Sequence, residues 1–406
     1  MSGSESENPA NSEVYVSEVF VGTYSGGVAK FEIILSANLC EPLLERTLGA
    51  GGGSSSFSVQ DDKTLVSFNK IFGSVLHSAP VRSIGLCAFE RNGRKSALVA
   101  TGCAAGEVVL IDLLRNQLMG VFNCGIEGIN DLSFTQSINR HFLLIAGGRS
   151  CGEISVWTSE DPQLRGWHHA VSLKLCRKPV LHVAFLQSGR IFFTVDEECQ
   201  MMLWDLKELV DPISHRRRHA QRVDETAEAA IHRKRCNLRI QLHFNPTCLK
   251  TLPELGLVLL CHDSAIEMHN LVLNTTVSTK TPGNNRISCV RFASKRCSKS
   301  YFCYIIFGTC AGTVLLARMS SKQGSESSIE FMEELSLESE TTHRRAEKIR
   351  NVGVIALTLE RLDVAALSSS KIFICRFSLS DQNKAHVLTA SDFGHRVTCS
   401  CLRSLS

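Results

Sequence analysis

Two short segments carry the pattern that decides the fold: Cys151-Gly152-Glu153-Ile154-Ser155-Val156-Trp157 and Gln200-Met201-Met202-Leu203-Trp204-Asp205-Leu206. Each follows a tight turn and alternates apolar and polar residues up to a tryptophan, which is the pattern of a half-buried β-strand. Trp157 and Trp204 lie 47 positions apart. This separation predicts a repeated β unit of about 40–45 residues.

The same hairpin unit recurs along the chain. An apolar strand is followed by a turn rich in Gly, Ser or Asp, which tolerates a positive φ, and then by an alternating strand. The seven positions equivalent to the tryptophans are Phe31, Ile111, Trp157, Trp204, His269, Ala317 and Cys375. Three of the six intervals between them are close to one repeat, and the other three contain insertions.

A further strand with a polar residue near its start precedes most of these hairpins. The clearest examples are Ile84–Phe89, Ile129–Phe134, Val180–Phe185, Ile287–Phe292 and Arg350–Val354. Repeats that cannot bury both sheet faces alone can do so when they pack face to face around an axis. The sequence therefore predicts an all-β chain folded as a seven-bladed WD40-type β-propeller, with these strands innermost beside the central channel.

The two ends of the chain suggest how the ring closes. Phe393–Ser400 resembles one more inner strand, whereas the N-terminal hairpin has little room for its own. We predict that the ends share a blade; the alternative is that residues 381–406 are a frayed tail. The domain prediction is a disordered tail over residues 1–14 and one propeller over residues 15–406, with inserted loops at about 40–75, 208–238 and 320–346.

Composition excludes several classes of protein. The formal net charge is +4, and no apolar run is long enough to cross a membrane. The N-terminus is rich in Ser and Glu, unlike a signal peptide. The 17 cysteines are scattered without a CxxC pair, so the spacing does not indicate a metal site. We expect buried free thiols in a reducing compartment.

The sequence also lacks the common catalytic patterns. It has no GxSxG, no phosphate-binding GxxxxGK[ST], no HExxH and no kinase-type HRD set. No segment brings together a nucleophile, a base and an orienting group. We therefore predict a binding platform that is not an enzyme and needs no cofactor or metal.

A basic insertion follows Trp204-Asp205. Its charges could contact phosphates of DNA or RNA without reading sequence, or could simply form a solvated loop. No aromatic residue is interleaved, so stacking on single strands is not indicated. The residues predicted for nucleic-acid contact are Arg216, Arg217, Arg218, Arg233, Lys234 and Arg235.

Several of these segments resemble the Polycomb WD-repeat family, the embryonic ectoderm development and extra sex combs type. They are Val109–Leu113, Gly128–Phe134, Gly152–Trp157, Val180–Val183 and Met202–Asp205. The resemblance implies a nuclear, non-catalytic scaffold of a histone-lysine methyltransferase complex that supports transcriptional repression. One propeller face would hold a helix of the SET-domain catalytic subunit. The other would read trimethyl-lysine of a histone tail with an aromatic cage, through cation–π attraction.

The resemblance is only partial at the propeller face that would read trimethyl-lysine. The family's cage positions correspond to Gly85, Ser288 and Cys289, with a fourth near Val397 or Thr398, and none is aromatic. We therefore expect little preference for trimethylated peptides. Polar positions at the histone-peptide mouth are retained, although they could equally be surface residues that hold turns between blades. These are Asn130, Arg291 and Arg350. The alternative function is a generic WD40 adaptor, such as a substrate receptor or an assembly platform.

Overall fold

The protein is described from a computed structural model. The structure describes residues 14–37, 55–58, 64–91, 94–113, 115, 117–124, 127–136, 142–148, 152–159, 166–186, 189–206, 238–252, 255–271, 275–297, 300–320, 328–337, 347–379, 385–393 and 396–404. The predicted tail at residues 1–14 lies outside this part except for Val14, and the predicted loop at 208–238 lies outside it except for Leu238.

The described residues form strands almost throughout, with one short 3-10 turn at Pro282–Asn284. In chain order the strands are β1 (Val14–Thr23), β2 (Gly27–Ala37), β3 (Ser55–Ser58), β4 (Thr64–Val75), β5 (Val81–Arg91), β6 (Arg94–Cys103), β7 (Glu107–Asp112), β8 (Gln117–Asn123), β9 (Ile129–Gln136), β10 (Phe142–Gly148), β11 (Glu153–Ser159), β12 (His168–Lys174), β13 (Val180–Phe185), β14 (Ile191–Asp196), β15 (Gln200–Asp205), β16 (Leu238–Gln241), β17 (Cys248–Leu252), β18 (Leu257–His262), β19 (Ala265–Asn270), β20 (Thr275–Lys280), β21 (Ile287–Cys297), β22 (Ser300–Thr309), β23 (Thr313–Ser320), β24 (Ser328–Ser336), β25 (Asn351–Leu357), β26 (Arg361–Leu367), β27 (Lys371–Ser378), β28 (Ala385–Asp392) and β29 (Val397–Ser404).

These strands form seven antiparallel sheets, and each sheet is one blade of a β-propeller. Six blades have four strands in sequence order, beginning at β5, β9, β13, β17, β21 and β25. The seventh, here called the closing blade, has the order β29-β1-β2-β4-β3. The predicted seven-bladed propeller is therefore confirmed.

The closing blade joins the two ends of the chain as the sequence predicts. β29 pairs antiparallel with β1, from Ser17 opposite Ser404 to Thr23 opposite Val397. Val397 and Leu402 are buried in a core that they share with Val19 and Phe31. The alternative of a frayed tail is wrong for residues 397–404, because this segment supplies the innermost strand of the blade.

The turn between the second and third strands of a blade depends on a positive φ, as its composition predicts. Gly152 has φ 68°, and a Cβ there would lie 2.2 Å from the carbonyl oxygen of Cys176. No side chain fits in that space, so the turn requires glycine. Cys199 (φ 60°) and Asp263 (φ 49°) adopt the same conformation in the next two blades at the cost of some strain.

The core lies between blades, where the faces of neighbouring sheets pack together. Trp204 is fully buried, and its indole N–H donates to Thr194 Oγ1 at 3.0 Å. Cys176 Sγ lies 3.5 Å from the same hydroxyl. The seven positions predicted to be equivalent are all buried in third strands of blades or, in the closing blade, in β2: Phe31, Ile111, Trp157, Trp204, His269, Ala317 and Cys375.

Two of the predicted inserted loops contain outer strands instead. β4 lies within the predicted loop at 40–75 and pairs with the whole of β2, and β24 lies within the predicted loop at 320–346 and pairs with β23. An outermost strand buries only one face, so it is rich in polar residues and does not look like a core strand. In β24, Ile329 and Phe331 pack inward while Glu330 is exposed on the other face.

Burial of the cysteines agrees with their predicted role as small apolar side chains. Of the thirteen cysteines whose side chains the structure describes, eight are buried, and all thirteen are free thiols. In this part of the chain, no helix is long and apolar enough to cross a membrane.

Candidate functional site at the central channel

The inner strands β5, β9, β13, β17, β21, β25 and β29 surround the channel. Neighbouring members of this set pack against one another around the axis, except that β13 reaches the next blade through His182, which hydrogen-bonds to the carbonyl of Pro246 before β17. Four of the five inner segments quoted from the sequence lie within their strands, and Arg350–Val354 begins one residue before β25. The strand β17 was not recognised from the sequence. Its signal is the short alternating run Cys248-Leu249-Lys250-Thr251-Leu252.

Each inner strand carries, at or just before its start, a polar side chain that hydrogen-bonds to the next blade. We call these seven contacts the inter-blade ring. Its hydrogen bonds are Ser83 Oγ to Asp131 Oδ1 (2.9 Å), Asn130 Nδ2 to Val180 O (2.8 Å), His182 Nε2 to Pro246 O (3.0 Å), Thr247 Oγ1 to Ile287 O (3.4 Å), Ser288 Oγ to Ile349 O, Asn351 Nδ2 to Ser400 O (2.5 Å) and Thr398 Oγ1 to Val81 O (2.6 Å). All seven point the same way around the axis and fix each blade to the next.

The inter-blade ring occupies some positions predicted to read histone. The Asn130 amide donates to the carbonyl of the following blade, so it is engaged in holding that blade. Ser288 contacts two backbone carbonyls, Gly308 O at 2.9 Å and Ile349 O. For Asn130, the alternative stated above, that it holds turns between blades, agrees with this contact, and Ser288 makes a contact of the same kind.

The remaining cage positions take part in the packing or the hydrogen bonds between blades. A Cβ on Gly85 would lie 2.6 Å from Leu132 Cδ1, so even alanine would require the Leu132 side chain to shift. Cys289 and Val397 are buried in cores between blades. Thr398 belongs to the inter-blade ring. The geometry thus explains why aromatic residues are missing at these positions.

Three basic side chains come from successive inner segments on one side of the channel. Lys250 lies in β17, Arg291 in β21, and Arg350 directly before β25. All three are partly buried. Within the described residues, none of the three side chains has a hydrogen-bond partner, and Arg350 Nε is buried without one.

The charges of this cluster are poorly compensated. Burial lowers the pKa of Lys250, the nearby charge of Arg291 lowers it further, and Asp131 acts in the opposite direction. Burial also lowers the pKa of Arg291. The Asp131 carboxylate already accepts hydrogen bonds from Ser83 Oγ and from the backbone N–H of Val183. The channel wall therefore carries an excess of positive charge between low-dielectric walls, an arrangement that concentrates anions.

The sequence identified Arg291 and Arg350 as residues of the mouth but missed Lys250, because β17 itself was missed. The six residues predicted to contact nucleic acid, Arg216, Arg217, Arg218, Arg233, Lys234 and Arg235, lie outside the described residues. Their role stays a prediction, as does the absence of an enzymatic activity.

Comparisons with known proteins support the fold. No protein-family model matches the chain, and no curated protein matches it. One similar solved structure is Sqt1 of Chaetomium thermophilum bound to the N-terminus of ribosomal protein L10, with 14% identity, TM-score 0.50, and coverage of 92% of this chain and 87% of that one. Another is the WD40 repeat domain of RRP9, with 11% identity, TM-score 0.51, and coverage of 76% and 80%. At such identities the likeness extends to the fold alone, and the chain has the seven-bladed architecture of WD40-repeat proteins.

Proposed function

We propose that the protein is a non-catalytic scaffold that binds an acidic segment of a partner protein at the central channel. The observation that carries this proposal is the cluster of Lys250, Arg291 and Arg350, whose charges have no hydrogen-bond partner among the described residues. An aspartate- or glutamate-rich segment would supply the missing carboxylates. Charge-assisted hydrogen bonds of this kind are about twice as strong as neutral ones.

The inter-blade ring supports such a role because it holds the cluster in place before binding. Ser288 of the ring lies in the same strand as Arg291 and donates to the carbonyl of Ile349, the residue directly before Arg350. Rigid inner strands lose little conformational entropy when a ligand binds. Lys250 and Arg291 are mutually repulsive, so an anion between them would relieve an existing strain.

The test is a titration of the full chain with two peptides of equal length, one rich in aspartate and glutamate and one uncharged. We expect binding of the acidic peptide only, weakened about tenfold by Arg291→Gln, which corresponds to the loss of one charge-assisted hydrogen bond. Lys174→Gln is the matched control, because Lys174 is exposed at the end of the outer strand β12. Equal affinities of the wild type and Arg291→Gln would overturn the proposal.

As a finer proposal, the partner is the SET-domain subunit of a Polycomb-type histone-lysine methyltransferase, and the protein acts in the nucleus in transcriptional repression. The resemblance of the segments from Val109 to Asp205 supports it. Affinity purification from nuclear extract followed by mass spectrometry tests it. Recovery of a SET-domain protein is expected, and stable recovery of other assemblies alone would reject it in favour of a general adaptor.

The same proposal predicts how strongly the protein distinguishes trimethylated from unmodified histone peptides. We expect the affinities for trimethylated and unmodified peptides to differ by less than about tenfold, because a cation–π contact contributes about 0.5–2 kcal/mol and no ring stands at the cage positions. Titration calorimetry with matched peptides measures the ratio. A larger preference would mean that a cage forms from other residues.

A further inference from the structure

Three potential metal ligands meet where the closing blade passes into the blade that begins at β5. His77 lies between β4 and β5, Cys103 ends β6, and Glu107 begins β7. One ligand atom from each lies within 4.8 Å of those of the other two. Glu107 Oε2 is 3.8 Å from His77 Nδ1 and 3.6 Å from Cys103 Sγ.

Local backbone contacts hold the three residues in this arrangement. The His77 N–H donates to Gly26 O at 3.1 Å, which fixes the loop against a turn of the closing blade. Gly106, at φ 83°, closes the tight turn that brings Cys103 beside Glu107. The cluster therefore rests on backbone from two blades and does not depend on a flexible loop.

The protonation of His77 follows from its neighbours. Its Nε2 lies 2.8 Å from Thr101 Oγ1, and that hydroxyl donates its hydrogen to Val109 O at 3.4 Å. In the tautomer with Nε2 protonated, Thr101 Oγ1 accepts from the Nε2–H and the lone pair lies on Nδ1.

This tautomer places three electron-rich atoms opposite one another. His77 Nδ1 is buried and has no hydrogen-bond partner among the described residues. It faces a carboxylate oxygen and a sulfur atom. The same carboxylate oxygen, Glu107 Oε2, accepts a hydrogen bond from the Ser78 N–H at 3.2 Å. A lone pair directed at a carboxylate is unfavourable unless a cation lies between them.

We infer that His77, Cys103 and Glu107 form a binding site for a divalent metal ion of the zinc class. With bonds of about 2.0–2.3 Å, a tetrahedral zinc ion separates its ligand atoms by roughly 3.3–3.6 Å, close to the two distances measured above. Nitrogen, sulfur and oxygen together suit zinc better than calcium or magnesium. Ala105 N–H donates to Cys103 Sγ at 3.4 Å and would stabilise the bound thiolate.

The second ligand shell also has the expected form. Histidine ligands of zinc commonly donate their other ring N–H to a fixed acceptor, here Thr101 Oγ1. The partial exposure of Glu107 leaves room for a water molecule as the fourth ligand. A bound ion would link the segment leaving the closing blade to the next blade, and would therefore stabilise the closed ring.

The experiment measures zinc binding by the full chain after treatment with a chelator. We expect one equivalent bound in titration calorimetry, a raised melting temperature, and a sulfur-to-metal charge-transfer band when cobalt replaces zinc. Glu107→Gln and Cys103→Ser should each weaken binding at least tenfold, and Glu107→Gln should keep the fold because its side chain is partly exposed. Thr101→Val should weaken it about 10–100-fold, as changes around metal ligands do.

The control is Cys176→Ser, because Cys176 occupies the equivalent loop of another blade and its sulfur contacts Thr194 instead. It should leave zinc affinity unchanged. Absence of stoichiometric binding by the wild type would overturn the inference. Zinc affinity that is unchanged in both Glu107→Gln and Cys103→Ser would also overturn the inference, because other cysteines would then hold the zinc.

Discussion

The blade containing Trp204 and the closing blade have the same architecture but are assembled differently. The three inner strands of the first blade come from residues 180–205, and its central contact joins Trp204 to Thr194. In the closing blade, β29 meets β1 from the opposite end of the chain. There Glu18 pairs with Lys30 at 2.5 Å and with Arg403 at 3.4 Å. Contacts so distant in sequence incur a large loop-closure entropy, so we expect the closing blade to form late in folding.

Of the variants that test this comparison, Trp204→Ala should lose the most stability. Removal of the fully buried indole would leave a cavity and take away the N–H that donates to Thr194 Oγ1, and we expect the free energy of unfolding to fall by about 3–5 kcal/mol. Denaturant unfolding followed by circular dichroism measures the loss. Trp204→Phe keeps most of the ring but not the N–H, and should cost less. A loss below about 1 kcal/mol in the alanine variant would mean that the blade does not depend on Trp204.

Leu402→Ala tests the closing blade in the same assay. A Cβ on Gly353 would lie 2.7 Å from Leu402 Cβ, which shows how closely β29 packs against β25. We expect a loss of about 2–4 kcal/mol. Leu359→Ala is the matched control, because Leu359 is 65% exposed and should contribute almost nothing. Similar losses in the two variants would contradict the buried position of β29.

Thr398→Val isolates one hydrogen bond of the inter-blade ring. The hydroxyl lies 2.6 Å from Val81 O and 2.9 Å from Gly22 O, and valine would leave both buried carbonyls without this donor. We expect a loss of about 1–2 kcal/mol in the free energy of unfolding. Thr398→Ser retains the hydroxyl and should recover most of it. If serine and valine destabilise equally, methyl packing and not the hydrogen bond holds this junction.

Of these variants, Glu347→Gln should lose the least free energy of unfolding, and its loss should depend on pH. Burial raises the pKa of Glu347, but the hydroxyls of Ser368, Ser369 and Ser370 lower it more, so the net shift is downward. Because the folded pKa lies below the unfolded value, the carboxylate stabilises the fold above about pH 4.5 and loses this effect as the pH falls through the folded pKa.

The difference in unfolding free energy between the wild type and Glu347→Gln should therefore be about 1 kcal/mol at pH 7 and should shrink toward pH 3. Unfolding curves at several pH values measure it. The backbone carbonyls of Ser370 and Ser369 accept hydrogen bonds from the N–H groups of Phe393 and Val397, at the start of β29. The substitution at Glu347 therefore also tests the stability of ring closure. A difference that stays constant with pH would show that ionisation of Glu347 is not involved.

The parts of the fold that were predictable are those with a strong local pattern. Hairpins ending at Trp157 or Trp204 show strand alternation and a turn that requires a positive φ, and both follow from residue chemistry. The outer strand β24 was not predictable, because a strand with one buried face and several glutamates resembles a solvated loop. The inner strand β17 is only five residues long, too short to give a clear period.

The residues of the candidate sites also differ in whether the sequence could predict them. Arg291 and Arg350 were found because they stand in recognisable inner segments. The engagement of Asn130 and Ser288 with the next blade depends on neighbours that only the assembled ring supplies. The group of His77, Cys103 and Glu107 has no ligand spacing that sequence could show, since the tertiary fold brings His77 to a turn 26 residues further along the chain.

Two partly buried cysteines, Cys399 and Cys401, lie on β29. Their reactivity therefore depends on whether β29 stays paired in the closing blade. Burial raises the pKa values of Cys399 and Cys401 to about 12, so almost no reactive thiolate exists at neutral pH while β29 is in place. An alkylating reagent would then modify these two partly buried sulfurs far faster in molecules whose closing strand has detached than in closed ones. The rate of their alkylation, read by peptide mass spectrometry, would report how often the propeller opens under native conditions.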